Sequence, residues 1–270
     1  MALAHRVHVL YHGAMECDLA WLLLKPGRNI VDRHHRNRRV EWVDCPIHSV
    51  LIDHPVGPIL WDSGPPRDWA TRWQRAGTND FAPFDRVTDD QFLDSRLAQL
   101  GLEPADIKTV IASHLHLDHA GNLRMLANAG ARLLVSRAEL EGANSFPGEF
   151  FGSYIKSDYA GLPFGRLDSD VEIADGITVL QVPGHTWGTM ALRVELANSG
   201  TMIFTSDSVL VRDAFGPPAY SSADTWDTRA WAASVEKIRA IAAATNATVV
   251  FGHDAEQLRA LRLAPGAFYD

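Results

Sequence analysis

The stretch "SHLHLDHAG", residues 113–121, places three histidines and one aspartate within six positions, with leucines as the only spacers. A buried polar group without a partner costs about 1–3 kcal/mol, so an ordinary core would not accept so many imidazoles. Imidazole nitrogens and carboxylate oxygens are, however, good ligands for transition metals. The stretch therefore predicts a metal-binding loop, in which Leu115 and Leu117 anchor the backbone in the core and Gly121 releases the turn into the next helix.

The composition of the chain is that of an ordinary globular protein, with 270 residues, 46% of them hydrophobic and 21% charged. A formal net charge of −8 argues against a nucleic-acid partner, because phosphate backbones favour surplus Lys and Arg. The one basic run, residues 33–39, is expected to be a solvated loop or a contact in a homodimer, with a phosphate-binding patch as the alternative. Two cysteines, Cys17 and Cys45, are too few for a disulfide framework.

Targeting and membrane signals are not found. No apolar run approaches the roughly 20 residues that a membrane span requires. The first residues have neither a long apolar stretch nor a small-residue cleavage site, so no signal peptide is predicted. The sequence therefore predicts a soluble, cytoplasmic protein without membrane partners.

Alternation of short apolar runs with amphipathic segments predicts a layered α/β architecture. Helices are expected at 88–101, where Thr88 and Gln91 form a capping box, at 121–130 and at 227–245. The runs that predict strands are 6–11, 48–53, 58–62, 109–113, 131–136, 177–182, 190–196, 201–206 and 248–252. Neither a repeat nor a low-complexity linker divides the chain, so a single domain over residues 1–270 is expected.

Two segments, 64–87 and 144–168, combine Gly, Pro and many aromatic residues and fit neither pattern. Loops of this length are commonly binding loops or lids. Their aromatic side chains either line a substrate pocket or pack into a second small core, and the two interpretations are equally favoured. The candidates for the pocket among them are Trp69, Trp73, Phe81, Phe84, Phe146, Phe150, Phe151 and Tyr154.

Three further candidate ligands follow predicted strands: His185 after 177–182, Asp207 after 201–206 and His253 after 248–252. Alone, each would be an ordinary loop, cap or core residue. Strand ends in one sheet converge on one edge, so these side chains can meet those of the loop. The full set is His114, His116, Asp118, His119, His185, Asp207 and His253. Such nitrogen and oxygen ligands suit Zn, Fe, Mn or Co, and Asp207 could bridge two ions with open positions for catalysis.

The motifs "SHLHLDHAG", "PGHTWG", "SD" and "FGHD" resemble those of the metallo-β-lactamase superfamily over nearly the whole chain. The resemblance implies an αββα sandwich, with two mixed β-sheets and helices on both outer faces. It also implies His114, His116 and His185 on one metal ion. Asp118, His119 and His253 would hold a second ion, and Asp207 would lie between the two. Asp62, in "PILWDSG", would lie behind the site and orient a ligand.

Within the superfamily, "CPIHSVLIDHPVGPILWDSG", "ASHLHLDHAGN" and "FGHDAEQ" are similar to the N-acyl-homoserine lactonases. This similarity implies a dinuclear hydrolase that opens a lactone ring by attack of a metal-bridging hydroxide, with Asp118 and Asp207 as catalytic residues. The expected cofactors are two divalent ions, zinc first and Fe, Mn or Co as alternatives. The expected partner is a small lactone with an aliphatic or aromatic group, for which an apolar pocket would suit.

One position departs from the pattern of the lactonases, which usually carry a tyrosine three residues after the bridging aspartate. Here that position is Leu210, which cannot donate a proton or a hydrogen bond. Either the metals polarise the carbonyl alone, or a lid residue replaces the phenol, or Tyr220 folds back towards the site. A different ester substrate is the remaining explanation.

Other functions on the same scaffold stay open at this point. Organophosphate triester hydrolysis needs only an apolar pocket, and thioester hydrolysis needs cationic residues for its substrate. Phosphodiester cleavage would want a basic groove, and β-lactamases with two zinc ions usually carry cysteine where Asp207 stands. A non-catalytic metal-binding or redox protein is the most distant alternative, because all seven ligand positions are filled.

Overall fold

The computed structural model describes residues 6–270, and its strands alternate with short helices. In chain order the strands are β1 (Arg6–Asp18), β2 (Trp42–Asp53), β3 (Ile59–Trp61), β4 (Thr109–Ile111), β5 (Arg132–Ser136), β6 (Phe150–Phe151), β7 (Tyr154–Ile155), β8 (Phe164–Leu167), β9 (Val171–Ala174), β10 (Ile177–Gln181), β11 (Met190–Leu196), β12 (Gly200–Phe204) and β13 (Thr248–Val250). The helices are α1 (Trp69–Ala76), α2 (Leu93–Gln99), α3 (Leu117–Ala120), α4 (Leu123–Asn128), α5 (Arg137–Ser145), α6 (Lys156–Tyr159), α7 (Arg212–Phe215), α8 (Thr228–Thr245) and α9 (Ala255–Ala260).

The larger strands form two mixed sheets. The first has the order β1-β2-β3-β4-β5-β8, antiparallel from β1 to β3 and parallel from β3 to β8. The second has the order β13-β12-β11-β10-β9, in which only β12 and β13 are parallel. The short β6 and β7 form a separate hairpin. These pairings place the C-terminal ends of β3 and β4 side by side, and likewise those of β12 and β13.

Side chains on the two faces of each sheet bury into different cores, since successive residues of a strand point in opposite directions. In β4, Ile111 packs between the two sheets, whereas Val110 packs outward with Leu97 of α2 and Leu126 of α4. On the far side, Trp231, Val235 and Ile238 of α8 cover the second sheet. The molecule is therefore an αββα sandwich with helices on both outer faces, as the resemblance implied.

The predicted strands and helices are present, but several bounds differ. Strand β1 continues past residue 11 to Asp18, through an irregularity between Tyr11 and Ala14, and β2 begins at Trp42. Short charged strands, β8 and β9, were missed because their apolar positions are few and only half-buried. The capping box of Thr88 and Gln91 is confirmed.

The two segments expected to be irregular contain regular elements. Segment 64–87 includes α1, which ends at Gly77 in the left-handed region. Segment 144–168 includes the end of α5, the β6–β7 hairpin, α6 and β8. Elements this short carry too few turns for an apolar periodicity to appear in the sequence.

Gly121 has a different role from the one expected. Its φ of −57° is ordinary helical backbone, so it does not provide a left-handed turn. A Cβ at this position would instead lie 2.4 Å from Pro66 Cδ and 2.7 Å from the Gly64 oxygen. Glycine is needed because the chain after β3 passes directly over the metal-binding loop.

None of the helices within residues 6–270 has the length and apolarity that a membrane crossing requires.

Candidate metal centre

Seven buried histidine and aspartate side chains converge at one edge of the sandwich. Their candidate ligand atoms fall into two groups, and within each group all of them lie within 4.8 Å of one another. The first group consists of His114, His116, His185 and Asp207, and the second of Asp118, His119 and His253.

The loop after β4 supplies four of these side chains. Leu115 and Leu117 are buried in separate apolar clusters on either side of His116, as expected of anchoring spacers. The short helix α3 begins at Leu117 and carries Asp118 and His119, and the His119 ring lies 4.1 Å from the His114 ring between centroids. One loop can therefore contribute to both groups, because its backbone changes from extended to helical at His116.

The remaining side chains follow strands of the second sheet. His185 comes after β10 and His253 after β13. Asp207 lies in a single 3-10 turn after β12, and the preceding Ser206 has a φ of +46°. Chain segments that are far apart in the sequence thus meet because the ends of their strands lie at the same edge.

Asp207 contacts histidines of both groups through its two oxygens, and His253 Nε2 lies near both of them, 3.2 Å from Oδ1 and 3.3 Å from Oδ2. Its Oδ1 is 3.3 Å from His119 Nε2 and 3.2 Å from His253 Nε2. Its Oδ2 is 3.3 Å from His185 Nε2 and 3.7 Å from His114 Nε2. This carboxylate has the geometry needed to serve both groups at once.

Asp62 lies behind the second group. Its Oδ2 accepts a hydrogen bond from His119 Nδ1 at 2.9 Å, and its oxygens also accept from the Ser113 amide at 2.7 Å and hydroxyl at 2.8 Å. In the same way, His253 Nδ1 lies 2.9 Å from the Pro46 carbonyl oxygen. Because each Nδ1 donates to a group behind the site, each Nε2 faces the site and carries a lone pair there once the ring is neutral.

Glu139, on α5, is a buried carboxylate that sequence reasoning missed. One of its oxygens accepts from the Leu115 amide at 3.0 Å and from the Tyr154 hydroxyl at 2.9 Å. The other accepts from the Thr186 hydroxyl at 2.5 Å and from the Gly188 amide at 3.2 Å. No local sequence motif predicts the role of this residue, since its hydrogen-bond partners lie 15 to 49 positions away in the chain.

The charges at the site differ between histidines. Burial and the neighbouring imidazoles lower the pKa values of His114 and His116 well below the usual value, so both rings are neutral at pH 7. Burial would lower the pKa of His119 and His253 as well, but the nearby carboxylates outweigh it. They raise the pKa of His253 to about 9 and that of His119 well above its usual value. The site therefore attracts positive charge.

The donor set fits divalent metal ions. Burial would raise the pKa of Asp207, but the surrounding histidines hold it well below the usual value, so the carboxylate is ionised. Within residues 6–270, the buried atoms His114 Nε2, His119 Nε2 and Asp207 Oδ1 have no hydrogen-bond partner. Such atoms are costly to bury alone, and a divalent ion satisfies imidazole nitrogens and carboxylate oxygens together.

A cavity of 380 Å³ opens onto both groups of donors and has mainly apolar walls. Leu210 and Phe81, both predicted for the pocket, line it. The other apolar or sulfur-bearing residues of its wall are Met15, Cys17, Trp21, Leu22, Cys45, Ala76, Ala82 and Leu117. Most of them come from the region of β1 and β2, where the sequence carried no pocket signal.

A smaller cavity of 180 Å³ meets the first one beside the histidines. Its wall includes Phe151 and Tyr154, predicted for the pocket, and Trp187 and Trp226, which were missed. The two indoles lie 4.6 Å apart between ring centroids. The residues common to both walls are His116, Gly152, Ser153, His185 and Asp224.

Other aromatic residues predicted for the pocket lie elsewhere. Trp73 and Phe84 are fully buried and, together with Trp69, form a small core beneath the first segment. Phe146 stacks on Phe151 at 4.2 Å between centroids, and Phe150 lies below Arg75 and packs against the apolar cluster that includes Leu117. The rings of these residues contact other apolar side chains.

Tyr220 does not fold back towards the donors. It packs against the cluster beneath α8, and the Lys25 ammonium lies 5.8 Å from its ring centroid. The Tyr154 hydroxyl, the phenol nearest to His116, is already donated to Glu139. Among the described residues that line the larger cavity, none is a tyrosine.

Comparison with known proteins gives a consistent result. The family model of the metallo-β-lactamase superfamily matches residues 42–253. The chain is 33% identical to the N-acyl homoserine lactonase AttM of Azorhizobium caulinodans over 98% of each protein. It is 32% identical to the N-acyl homoserine lactonase AiiB of Agrobacterium fabrum, with 84% of this chain and 86% of AiiB covered.

Solved structures show the same fold. A Bacillus thuringiensis AiiA variant with N-decanoyl-L-homoserine at its active site superposes with a TM-score of 0.82 at 23% identity, over the full length of both chains. A lactone hydrolase with N-hexanoyl-L-homoserine at its metal centre also has a TM-score of 0.82, at 22% identity and over both full chains. On the family match and the identity to AttM, the protein belongs to the metallo-β-lactamase superfamily.

Proposed function

We propose that this protein is a metal-dependent lactonase that hydrolyses the ester ring of N-acyl homoserine lactones. The observation that carries the proposal is the set of seven buried nitrogen and oxygen donors, five of which line an apolar cavity of 380 Å³. Relatives that share about a third of the sequence over nearly its full length bear the name of this activity.

The proposed cofactors are two divalent ions, with zinc as the first candidate. His114, His116 and His185 would hold one ion, Asp118, His119 and His253 the other, and Asp207 would be shared. Such ions lower the pKa of a coordinated water and polarise an ester carbonyl, which gives a nucleophile at neutral pH without a serine or cysteine. The separation of the donors into two groups with Asp207 between them supports a pair of ions.

Asp118 and Asp207 are the proposed catalytic carboxylates. Both lie in the cavity wall, where a bound ester would meet them. We assign to Asp207 the orientation of the attacking water, because its carboxylate contacts histidines of both groups. Asp118 would accept the proton of that water on its carboxylate and return it to the ring oxygen that leaves. Asp62 and Glu139 hold the ligand-bearing loops in place from behind.

The apolar wall is proposed to receive the acyl chain and to exclude bulk water. Leu210 contributes surface to this wall and has no proton to donate, so the polarisation of the carbonyl would rest on the metals alone. Residues from both aromatic-rich segments, Phe81 of 64–87 and Gly152 of 144–168, lie in the wall. We propose that these segments act as a lid within a single domain.

The assembly and location of the protein are part of the proposal. Residues 33–39 are exposed and basic, and we propose that they take part in a homodimer contact in the cytoplasm. Size-exclusion chromatography with light scattering, on the full chain and on a variant with serine at the basic positions of 33–39, tests the contact. A monomeric wild-type protein would contradict it.

The activity is tested with purified protein whose metal content has been measured. We expect close to two divalent ions per chain and hydrolysis of N-hexanoyl homoserine lactone, followed by acid release. Turnover of paraoxon and of a glutathione thioester should be lower by at least about a hundredfold in kcat/KM. His116→Ala and Asp207→Ala should lose both metal and turnover. Metal-loaded protein that leaves the lactone intact, or prefers the phosphotriester, would refute the proposal.

A further inference from the structure

The two cavities meet at Asp224, in the segment between α7 and α8. Its side chain is part of both walls, beside His116 and His185. Within residues 6–270 its carboxylate makes no hydrogen bond and no ion pair, unlike Asp227 of the same segment, which caps α8. A carboxylate that lies between two cavities and receives no hydrogen bond from the protein can accept one from a ligand in either cavity.

Asp224 is half-buried, so its carboxylate oxygens stay accessible to a molecule that enters either cavity. The partial burial raises the pKa of its carboxyl, and Asp207 and Asp118 repel its charge, while His185 attracts it. A hydrogen-bond donor on a bound ligand would therefore meet an acceptor that no protein group occupies.

The sizes of the cavities fit the two ends of one molecule. A cavity of 150 Å³ in another protein holds a benzene ring, so the 180 Å³ of the smaller cavity has room for a single ring. The larger cavity, at 380 Å³ and with Leu22, Phe81 and Leu210 in its wall, suits a flexible apolar chain. A ligand that spans both would place the group joining its ring and chain next to Asp224.

In an N-acyl homoserine lactone, the group that joins the ring to the chain is a secondary amide. Its N–H is the one strong hydrogen-bond donor of a lactone with an unsubstituted acyl chain. Resting on the proposed function, we propose that Asp224 is a specificity-determining residue, whose carboxylate accepts this amide N–H. The ring would occupy the smaller cavity with its ester edge against His116 and His185, where this cavity opens towards Asp118 and Asp207, and the acyl chain would lie in the larger cavity.

Selectivity follows from this contact. A site built around a hydrogen bond disfavours analogues that lack the donor, because the acceptor is then buried without a partner. Alkyl γ-lactones carry the same ester ring but no amide. The enzyme should therefore favour N-acyl homoserine lactones over alkyl γ-lactones of the same length, and this preference should depend on Asp224.

The experiment compares kcat/KM for N-hexanoyl homoserine lactone and for an alkyl γ-lactone of equal chain length, in metal-loaded wild type, Asp224→Asn and Asp224→Ala. We expect Asp224→Ala to lower the value for the amide substrate by about ten- to a hundredfold, mainly through KM. The kcat/KM for the γ-lactone should be unchanged or higher in this variant. Asp224→Asn keeps an acceptor oxygen, so its kcat/KM for the amide substrate should lie between those of wild type and Asp224→Ala. Asp85→Ala, which removes an exposed carboxylate, should resemble wild type.

The outcomes separate this inference from the proposed function. If wild type hydrolyses neither lactone, the proposed function fails and the inference with it. If wild type hydrolyses the amide substrate but the ratio between substrates is unchanged in Asp224→Ala, only the inference is refuted. An equal fall in kcat for both lactones also refutes it, since Asp224 would then act on the ester rather than the amide. Metal content and thermal unfolding, measured for each variant, exclude misfolding as the cause.

Discussion

Glu139 Oε1 accepts the backbone N–H of Leu115 at 3.0 Å, at the residue that separates His114 from His116. The other oxygen of the same carboxylate accepts from Thr186 and Gly188, which follow His185 in the same loop. A single buried side chain thus joins the two loops that supply the first group of donors. The position of these histidines depends on a residue that is not itself a candidate ligand.

Replacement of this carboxylate should weaken metal binding without removing a ligand. In Glu139→Gln, one acceptor oxygen becomes an NH₂ group and faces a backbone N–H, which costs about 1–3 kcal/mol in unfolding free energy. We expect metal affinity, measured by competition with a chelator, to fall about ten- to a hundredfold. The control is Glu141→Gln, an exposed position on the same helix. Wild-type affinity in Glu139→Gln would show that the loops hold their positions without it.

Asp62 offers a second test of the residues behind the site. Its φ is +59°, a conformation that asparagine tolerates, so Asp62→Asn preserves the backbone while it removes the charge that His119 Nδ1 faces. Metal affinity should fall about ten- to a hundredfold. Asp62→Ala should lower metal affinity further, because it also leaves the Ser113 amide without a hydrogen-bond acceptor. An unaltered affinity in both variants would mean that Asp62 does not orient His119.

The close approach over the metal-binding loop predicts a sharp contrast between two glycines. Gly121→Ala places a Cβ 2.4 Å from Pro66 Cδ, so we expect a loss of about 1–3 kcal/mol in unfolding free energy and a lower metal content. At Gly266 the nearest atom to a Cβ is 3.8 Å away, so Gly266→Ala should stay within about 0.5 kcal/mol of wild type. Denaturant unfolding with metal analysis measures both, and equal stabilities would contradict the prediction.

The pH dependence of metal binding follows from the protonated histidines of the metal-free protein. With the pKa of His253 raised to about 9, metal must displace a proton below that pH, so affinity should fall as the pH drops from 9 to 7. Stability of the chelator-treated protein should change in the opposite sense. The contribution of His253 is fully present below about pH 6.5 and is lost as the pH rises through 9.

Zinc titrations at pH 7, 8 and 9, with proton release followed by an indicator dye, test this directly. At pH 7 we expect His253 to release about one proton per chain when metal binds, in addition to protons released by His119. At pH 9 the number of protons released should be smaller. Proton release that does not vary with pH would contradict the raised pKa values.

Much of the architecture could be predicted from the sequence, because its signals are local. Strands β3, β4, β10, β11, β12 and β13 are apolar runs bounded by turn residues, and their ends are the positions from which the donors project. The spacing His114, His116, Asp118, His119 is informative because residues so near in the chain must share one loop. The turn of that loop into α3, which separates the two groups, is a consequence of the burial of Leu115 and Leu117.

Only the tertiary structure determined the roles of residues that depend on neighbours far away in the chain. Glu139, Asp224 and Trp226 belong to no motif of the sequence, and Trp73 and Phe84 have the same sequence context as aromatic residues that line a pocket. Whether an aromatic ring lines a cavity or fills a core is determined by which segments pack over it. Whether a carboxylate positions a loop or is available to bind a ligand is determined by the hydrogen-bond donors around it. Both are properties of contacts between remote parts of the chain, which the order of residues does not display.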